Sequence, residues 1–327
     1  MLRDTLFTVK EEERATRDGF GEGLVLAAQV DSRVVALCAD LTDSVKMGAF
    51  KESFPDRFFE MGITEQAMSG VASGLASMGK IPFMASYAMF SPGRNWEQIR
   101  TTICYNNQPV KIVGAHAGIS VGPDGATHQA LEDIALMRLI PNMQVFVPCD
   151  AIEAREITKY IATTNHPSYL RIGREKTPVI VDDSYTFTPG KANIIFLPKK
   201  KDGDFGITVG VIACGPIIYE ALKAARILEK EGIGVTVVNM PTVKPLDEGF
   251  LLRFAKGVKA IVTVEEHQVT GGLGSAISDY LSEHHPLRVL HVGVTDRFGQ
   301  SGKPSELYEE YGLTALHIVE KIRLSTR

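Results

Sequence analysis

The fold is decided by Phe58-Phe59-Glu60-Met61-Gly62-Ile63-Thr64-Glu65-Gln66-Ala67-Met68-Ser69-Gly70. An aromatic run turns through Gly62 into a helical pattern, and Glu65 falls in the first turn, where the positive end of the helix dipole favours a carboxylate. The predicted helix, 64–78, is crowded with small residues: Gly70, Ala72, Ser73, Gly74, Ala76 and Ser77. Each helical glycine costs about 1 kcal/mol relative to alanine, so something is expected to pack close against this helix. Read alone, the segment fits an ordinary charged first turn and tight helix packing equally well.

Outward from this stretch, short Val- and Ile-rich runs alternate with longer helical patterns, the sequence form of parallel βαβ units buried on both faces. Strands are predicted near 34–38, 82–85, 110–115, 144–147 and 168–172, with helices near 64–78, 95–105, 129–139 and 151–162. Between 175 and 206 the alternation breaks at Pro178, Pro189, Gly190, Pro198 and the run Lys199-Lys200-Lys201-Asp202-Gly203-Asp204, all turn and linker chemistry. It resumes with strands near 207–213, 235–239, 260–264 and 289–292 and helices near 217–230, 272–282 and 315–323. The expected class is α/β: two doubly wound domains, 1–180 and a smaller 207–327, joined by a linker at 181–206, with right-handed crossovers.

Bulk properties narrow the function. The 327 residues, 44% hydrophobic and 23% charged, suit two globular domains. A formal charge of −4 with interspersed signs provides no polybasic face, so neither nucleic acid nor a membrane surface is an expected partner. Cys38, Cys104, Cys149 and Cys214 lie far apart without a Cys-x-x-Cys pair, which suits reduced thiols better than disulfides or zinc. The first residues carry no apolar leader and no run of 18 apolar residues occurs, so a cytoplasmic protein is expected.

Two further segments carry chemistry. Ala85-Ser86-Tyr87-Ala88-Met89-Phe90-Ser91-Pro92-Gly93-Arg94 sets two aromatics three apart at the carboxyl end of a predicted strand, where ligand sites of α/β sheets form, although core packing explains it as well. The loop Ala115-His116-Ala117-Gly118-Ile119-Ser120-Val121-Gly122-Pro123-Asp124-Gly125-Ala126-Thr127-His128-Gln129 holds two histidines and an aspartate, and loops dense in titratable groups seldom serve packing. No cysteine lies near enough in sequence to complete a four-ligand zinc site with those histidines, so no metal ligands are assigned. Gly271-Gly272-Leu273-Gly274 matches no nucleotide-binding signature and reads as a tight turn into a helix.

Taken together, in this order and over nearly the whole chain, these segments resemble the thiamine-diphosphate enzymes of the transketolase family. The resemblance implies that Glu65 hydrogen-bonds the aminopyrimidine of thiamine diphosphate so that the thiazolium carbon is deprotonated to a nucleophilic ylide. It implies that Tyr87 and Phe90 line and stack on the pyrimidine, with Asp40 in a supporting place near the cofactor. Arg17, Ser44, His116 and Arg174 are implied to hold a sugar phosphate, Asp124 and His128 to read its hydroxyls, and His116 or His128 to assist proton movement. The family's diphosphate and Mg2+ signature, Gly-Asp-Gly followed by Asn, does not occur here. The chain therefore resembles the C-terminal subunit of a split transketolase, expected to act only with an N-terminal subunit carrying the diphosphate-binding domain, as an α2β2 heterotetramer in the pentose phosphate pathway.

Three rivals remain at this level. 1-Deoxyxylulose-5-phosphate synthase shares the Asp124-to-Gln129 stretch but usually has an acidic residue at the place of His116. The β-subunit of a 2-oxo acid dehydrogenase uses the same glutamate, yet Asp124 and His128 beside Arg174 suit a polyol phosphate better than a branched acyl group. A non-catalytic regulatory subunit is disfavoured by retention of Glu65, both aromatics and the phosphate ligands.

Overall fold

The computed structural model describes residues 2–3, 6–8, 11–198 and 208–326. The charged run at 199–204 and the first residue of the strand expected at 207 lie outside the described residues.

The first domain is built on a seven-stranded sheet in the order Thr242–Lys244, Gln144–Phe146, Ser168–Arg171, Lys111–Ala115, Ile81–Tyr87, Val34–Cys38, Phe58–Glu60. All neighbours are parallel except Thr242–Lys244, which arrives from the C-terminal half and pairs antiparallel with Gln144–Phe146. Every residue of Val34–Cys38 and Lys111–Ala115 is buried, as helices on both faces require. A second sheet, in the order Val289–Val294, Ala260–Gln268, Thr208–Ala213, Gly234–Asn239, Asn193–Phe196, organises the C-terminal domain and is parallel except at its last pair.

Helices Gly48–Ser53, Glu248–Ala255 and Pro304–Glu310 and strands Phe58–Glu60 and Thr242–Lys244 are not among the predicted elements, and two further departures have a plain physical reason. The segment expected as linker contributes the edge strand Asn193–Phe196, whose four residues are hidden between prolines and glycines and pair antiparallel with Gly234–Asn239. A helix, Thr16–Val30, precedes the first predicted strand; it contains Gly19, Gly21 and Gly23, which blur its periodicity. Glycine is needed there for close approach: a methyl on Gly19 would lie 1.8 Å from the carbonyl oxygen of Ala151, at the start of the helix Ala151–Ile161.

The helix beginning at Glu65 runs to Ser77. Among the described residues nothing fills the space beside Gly70 or Gly74, since a methyl at either would meet no atom outside the helix's own backbone within 4 Å. Ser73, by contrast, donates to the carbonyl oxygen of Thr102 at 2.7 Å, and Ala72 and Ala76 are buried, so the close packing is met on that side of the helix and not beside Gly70 and Gly74 among the described residues. The four cysteines are buried free thiols, and no helix among the described residues is long and apolar enough to cross a membrane.

Register fixes where the site forms. Cys38 is level with Ala85, and Tyr87 with Ala115, so the chain leaves three adjacent strands at nearly the same height. Asp40, Tyr87 and His116 emerge together along the carboxyl edge of the sheet, where α/β proteins bind ligands.

Candidate active site

Two of these exits are strained. His116 has φ of 52° and Asp40 has φ of 57°, a region sparsely visited by residues other than glycine and costing about 1–3 kcal/mol where it persists. Surrounding contacts hold both. The main-chain N–H of Asp40 donates to Glu60 Oε1 at 2.8 Å and the Thr42 hydroxyl donates to Glu60 Oε2 at 2.9 Å, fixing the turn after the strand. The Asp40 side chain itself is exposed.

The His116 ring, 2% exposed, stacks on Tyr87. Its Nε2 sits 3.4 Å from Arg17 Nη1, which also donates to the carbonyl oxygen of Ser44 at 3.0 Å. Burial, reinforced by Arg17, Arg174 and His128, pushes the His116 pKa down to about 3. The imidazole is thus neutral, with Nε2 facing a group that can only donate and the proton assigned to Nδ1. That buried Nδ1 finds no hydrogen-bond partner among the described residues.

Phe90 lies 6.0 Å from Tyr87, its ring 19° from parallel. His128 closes the aromatic group edge-on, 6.1 Å from Tyr87 and 5.4 Å from Phe90, with Nδ1 2.9 Å from the Thr127 hydroxyl. Arg174 donates to the carbonyl oxygen of Val121 at 2.9 Å and lies 3.5 Å from Asp124 Oδ1. Contacts therefore join Arg17, Ser44 and His116 through Tyr87 to Phe90 and His128, and pair Arg174 with Asp124, both on or against the loop that runs from His116 to His128.

Glu65 connects through Arg94, whose guanidinium carbon lies 5.8 Å from the centre of the Phe90 ring and whose Nη1 is 3.5 Å from Glu65 Oε2. The Glu65 carboxylate is nonetheless buried, with 2% of the residue exposed. Five other buried acids differ: Asp133, Asp150, Glu153, Glu265 and Glu266 each accept at least two hydrogen bonds of 3.0 Å or less, while buried Asp247 accepts two main-chain N–H groups at 3.1 and 3.3 Å. A buried carboxylate held, among the described residues, by one long contact is suited to a donor from outside the chain.

Sequence reasoning did not single out Arg94 or Glu60, although Glu60 stands inside the deciding stretch. Glu265-Glu266-His267 carry no obvious catalytic demand in the sequence, where the segment around them reads as dimer-stabilising. These three lie within the nine-residue strand Ala260–Gln268, and consecutive charges in an otherwise apolar buried run were the available signal. Glu265 accepts from the main-chain N–H groups of Leu273 and Gly274 at 2.7 and 2.8 Å, capping the helix Leu273–His284 that follows the glycine turn.

This geometry has known counterparts. The family profile "Transketolase, pyrimidine binding domain" matches residues 12–179, and "Transketolase, C-terminal domain" matches 201–318. The chain is 40% identical to the 6-deoxy-6-sulfo-D-fructose transketolase subunit SqwH of a Clostridium species, over 96% of this chain and 95% of the relative. It is 36% identical to a subunit of the apulose-4-phosphate transketolase of Phocaeicola vulgatus, over 94% of this chain and 98% of the relative. A solved structure described as a split gene transketolase, inactive beta4 tetramer, is 44% identical, covers 96% of this chain and 98% of that one, and superposes with a TM-score of 0.85. With both domain profiles matched in order and relatives aligned over nearly their whole length, the chain belongs to the transketolase family as a counterpart of its split C-terminal subunits.

Proposed function

We propose that this chain binds the aminopyrimidine end of thiamine diphosphate and, with a partner chain that holds the diphosphate and Mg2+, transfers a two-carbon ketol unit between sugar phosphates. The observation that carries the reading is Glu65: a buried carboxylate, at a helix N-terminus, lacking among the described residues the short donors that satisfy Asp133, Asp150, Glu153, Glu265 and Glu266. A ring nitrogen of the pyrimidine supplies the missing partner, and Glu65 then shares a proton with it in a place where an isolated charge is costly.

Bound there, the cofactor supplies a carbon nucleophile and a sink for the electrons of the broken carbon–carbon bond. The remaining roles belong to this chain. Tyr87 and Phe90 offer aromatic surface to the pyrimidine, a contact adding about 0.5–1.5 kcal/mol beyond area burial. Arg17 and Arg174 supply fixed positive charge for the anionic end of the sugar, and neutral His116 adds a donor without adding charge. Ser44 lies beside Arg17, Asp124 and His128 face the hydroxyls, and Asp40 supports the cofactor side. His116 and His128 move protons at the sugar's carbonyl and hydroxyl groups.

The dependence on a partner is supported by relatives named as subunits and by the related homotetramer described as inactive. We infer an α2β2 assembly in the cytoplasm, with the open face beside Gly70 and Gly74 set against another chain. Relatives named for sulfofructose and apulose phosphate leave the sugar open, because a sulfonate and a phosphate make the same demand on Arg17 and Arg174. The test is ketol transfer from xylulose 5-phosphate to ribose 5-phosphate, with thiamine diphosphate and Mg2+, by this chain alone and with its N-terminal partner. Activity only in the mixture supports the reading; cofactor binding without transfer to any sugar phosphate or sulfonate overturns it.

A further inference from the structure

We propose that Glu266, in the C-terminal domain, is a positioning residue for the substrate loop of the first domain; the inference rests on the functional reading above. Glu266 is 5% exposed, and its carboxylate reaches across the domain boundary. Oε1 accepts the main-chain N–H of Ser120 at 2.6 Å, and Oε2 accepts the Tyr308 hydroxyl at 2.9 Å. Ser120 sits midway along the loop, between His116 on one side and Asp124 and His128 on the other.

The approach is built into both partners. Gly118 has φ of 93°, and a methyl there would lie 2.3 Å from Glu266 Oε1, so only glycine admits the carboxylate at this distance. The main-chain carbonyl of Glu266 accepts from Arg171 Nη2 at 2.9 Å, while Arg171 Nε donates to Asp133 at 2.8 Å, which fixes the strand carrying Glu266 against the first sheet. At the far end of the loop, Gln129 Nε2 donates to the carbonyl oxygens of Ile119, Gly122 and Gln300, and Gln300 again belongs to the C-terminal domain.

Residues Ile119–Asp124 form short 3-10 turns kinked at Gly122, and the first main-chain N–H groups of such a turn have no partner within it, so an external acceptor on Ser120 fixes where the turn sits. A carboxylate accepting a main-chain N–H makes one of the stronger hydrogen bonds available. The C-terminal domain thus serves as a template: through Glu266 it sets the path of the segment whose ends present His116, Asp124 and His128.

The first test is hydrogen–deuterium exchange on the chain alone, which needs no substrate. Glu266→Ala is expected to speed exchange across 118–128 about tenfold, the effect of stranding one buried donor, with strand 34–38 unchanged. Glu266→Gln keeps an oxygen for Ser120 and is expected to restore protection. Tyr308→Phe, which removes only the second hydrogen bond, gives a smaller rise and serves if the alanine variant does not fold. Unchanged loop exchange in the variants that fold, or a glutamine variant as loose as the alanine one, overturns the proposal.

The second test uses the complex with the partner chain, thiamine diphosphate and Mg2+. Glu266→Ala is expected to raise KM for the donor ketose phosphate about tenfold with cofactor affinity within about twofold of wild type. A parallel fall in kcat and cofactor affinity, with KM unchanged, contradicts positioning. If the wild-type complex transfers no ketol units, the functional reading fails while the exchange experiment still decides the role of Glu266.

Discussion

The ring of Tyr87 lies on the ring of His116, with centroids 4.0 Å apart and planes 25° from parallel. The stack closes one face of the imidazole to water, while Arg17 and Arg174 oppose a positive charge on it. Because the folded pKa, about 3, lies below the ordinary 6.5, the unfolded chain binds the extra proton between those values. Stability from this residue is complete above about pH 6.5 and is lost as pH falls toward 3. His116→Gln removes the titration. Urea unfolding at pH 7 and pH 4 should show wild type losing more stability on acidification than the variant, by no more than ~3 kcal/mol; equal losses would place the histidine in a wetter setting.

Glu65→Gln separates chemistry from stability. Among the described residues the wild-type carboxylate makes one 3.5 Å contact, so the amide forfeits little holding energy, and the melting temperature of the chain should change by no more than a few degrees. An amide cannot share a proton with a ring nitrogen as a carboxylate does, so kcat in the assembled enzyme should fall at least about a hundredfold. A variant retaining a tenth of wild-type turnover would remove Glu65 from the mechanism.

Arg171 tests the joint between the domains. It is buried against Asp133 and two carbonyl oxygens, and truncating one member of a buried pair strands the other. Arg171→Met should cost about 3–5 kcal/mol, and Arg171→Met with Asp133→Asn should recover part of that loss. Denaturant midpoints for the single and double variants measure the coupling directly; additive losses would mean the two side chains act independently.

The parallel strands were legible because their residues need only be apolar and short, and 34–38 agrees with the observed strand at both ends. Helix Thr16–Val30 was not, because Gly19, Gly21 and Gly23 answer to Ala151, Lys46 and Arg155, far away in sequence, rather than to helical propensity. In the site, Tyr87, Phe90, His116 and His128 could be picked out because unusual residue types gather near a strand end. Arg94, Glu60 and Glu266 could not, since an exposed arginine or a glutamate acquires its meaning only from what folding brings beside it. The stretch Glu265-Glu266-His267 shows the limit well: its charges were visible in an apolar strand, but the helix cap and the loop they serve lie in other elements.

Lys111 offers a last test, away from the site. It is fully buried at the start of its strand, and its ammonium donates to the carbonyl oxygens of Thr164 and His166 at 2.9 and 2.7 Å and to the Thr164 hydroxyl at 3.1 Å. These acceptors tie the turn after the helix Ala151–Ile161 to the sheet, and neutral oxygens compensate only part of the lost hydration of a charge. Burial accordingly pulls the Lys111 pKa down to about 7, against an ordinary 10.5. Between those values the unfolded chain holds the proton and the folded chain does not, so stability from this residue rises with pH through that window. Lys111→Met abolishes the titration and leaves the three acceptors without their donor. Relative to that variant, wild type should gain about 2–3 kcal/mol between pH 7 and pH 9. Chemical denaturation at the two pH values reads the difference, and a gap that stays constant would mean that the buried ammonium keeps its charge throughout.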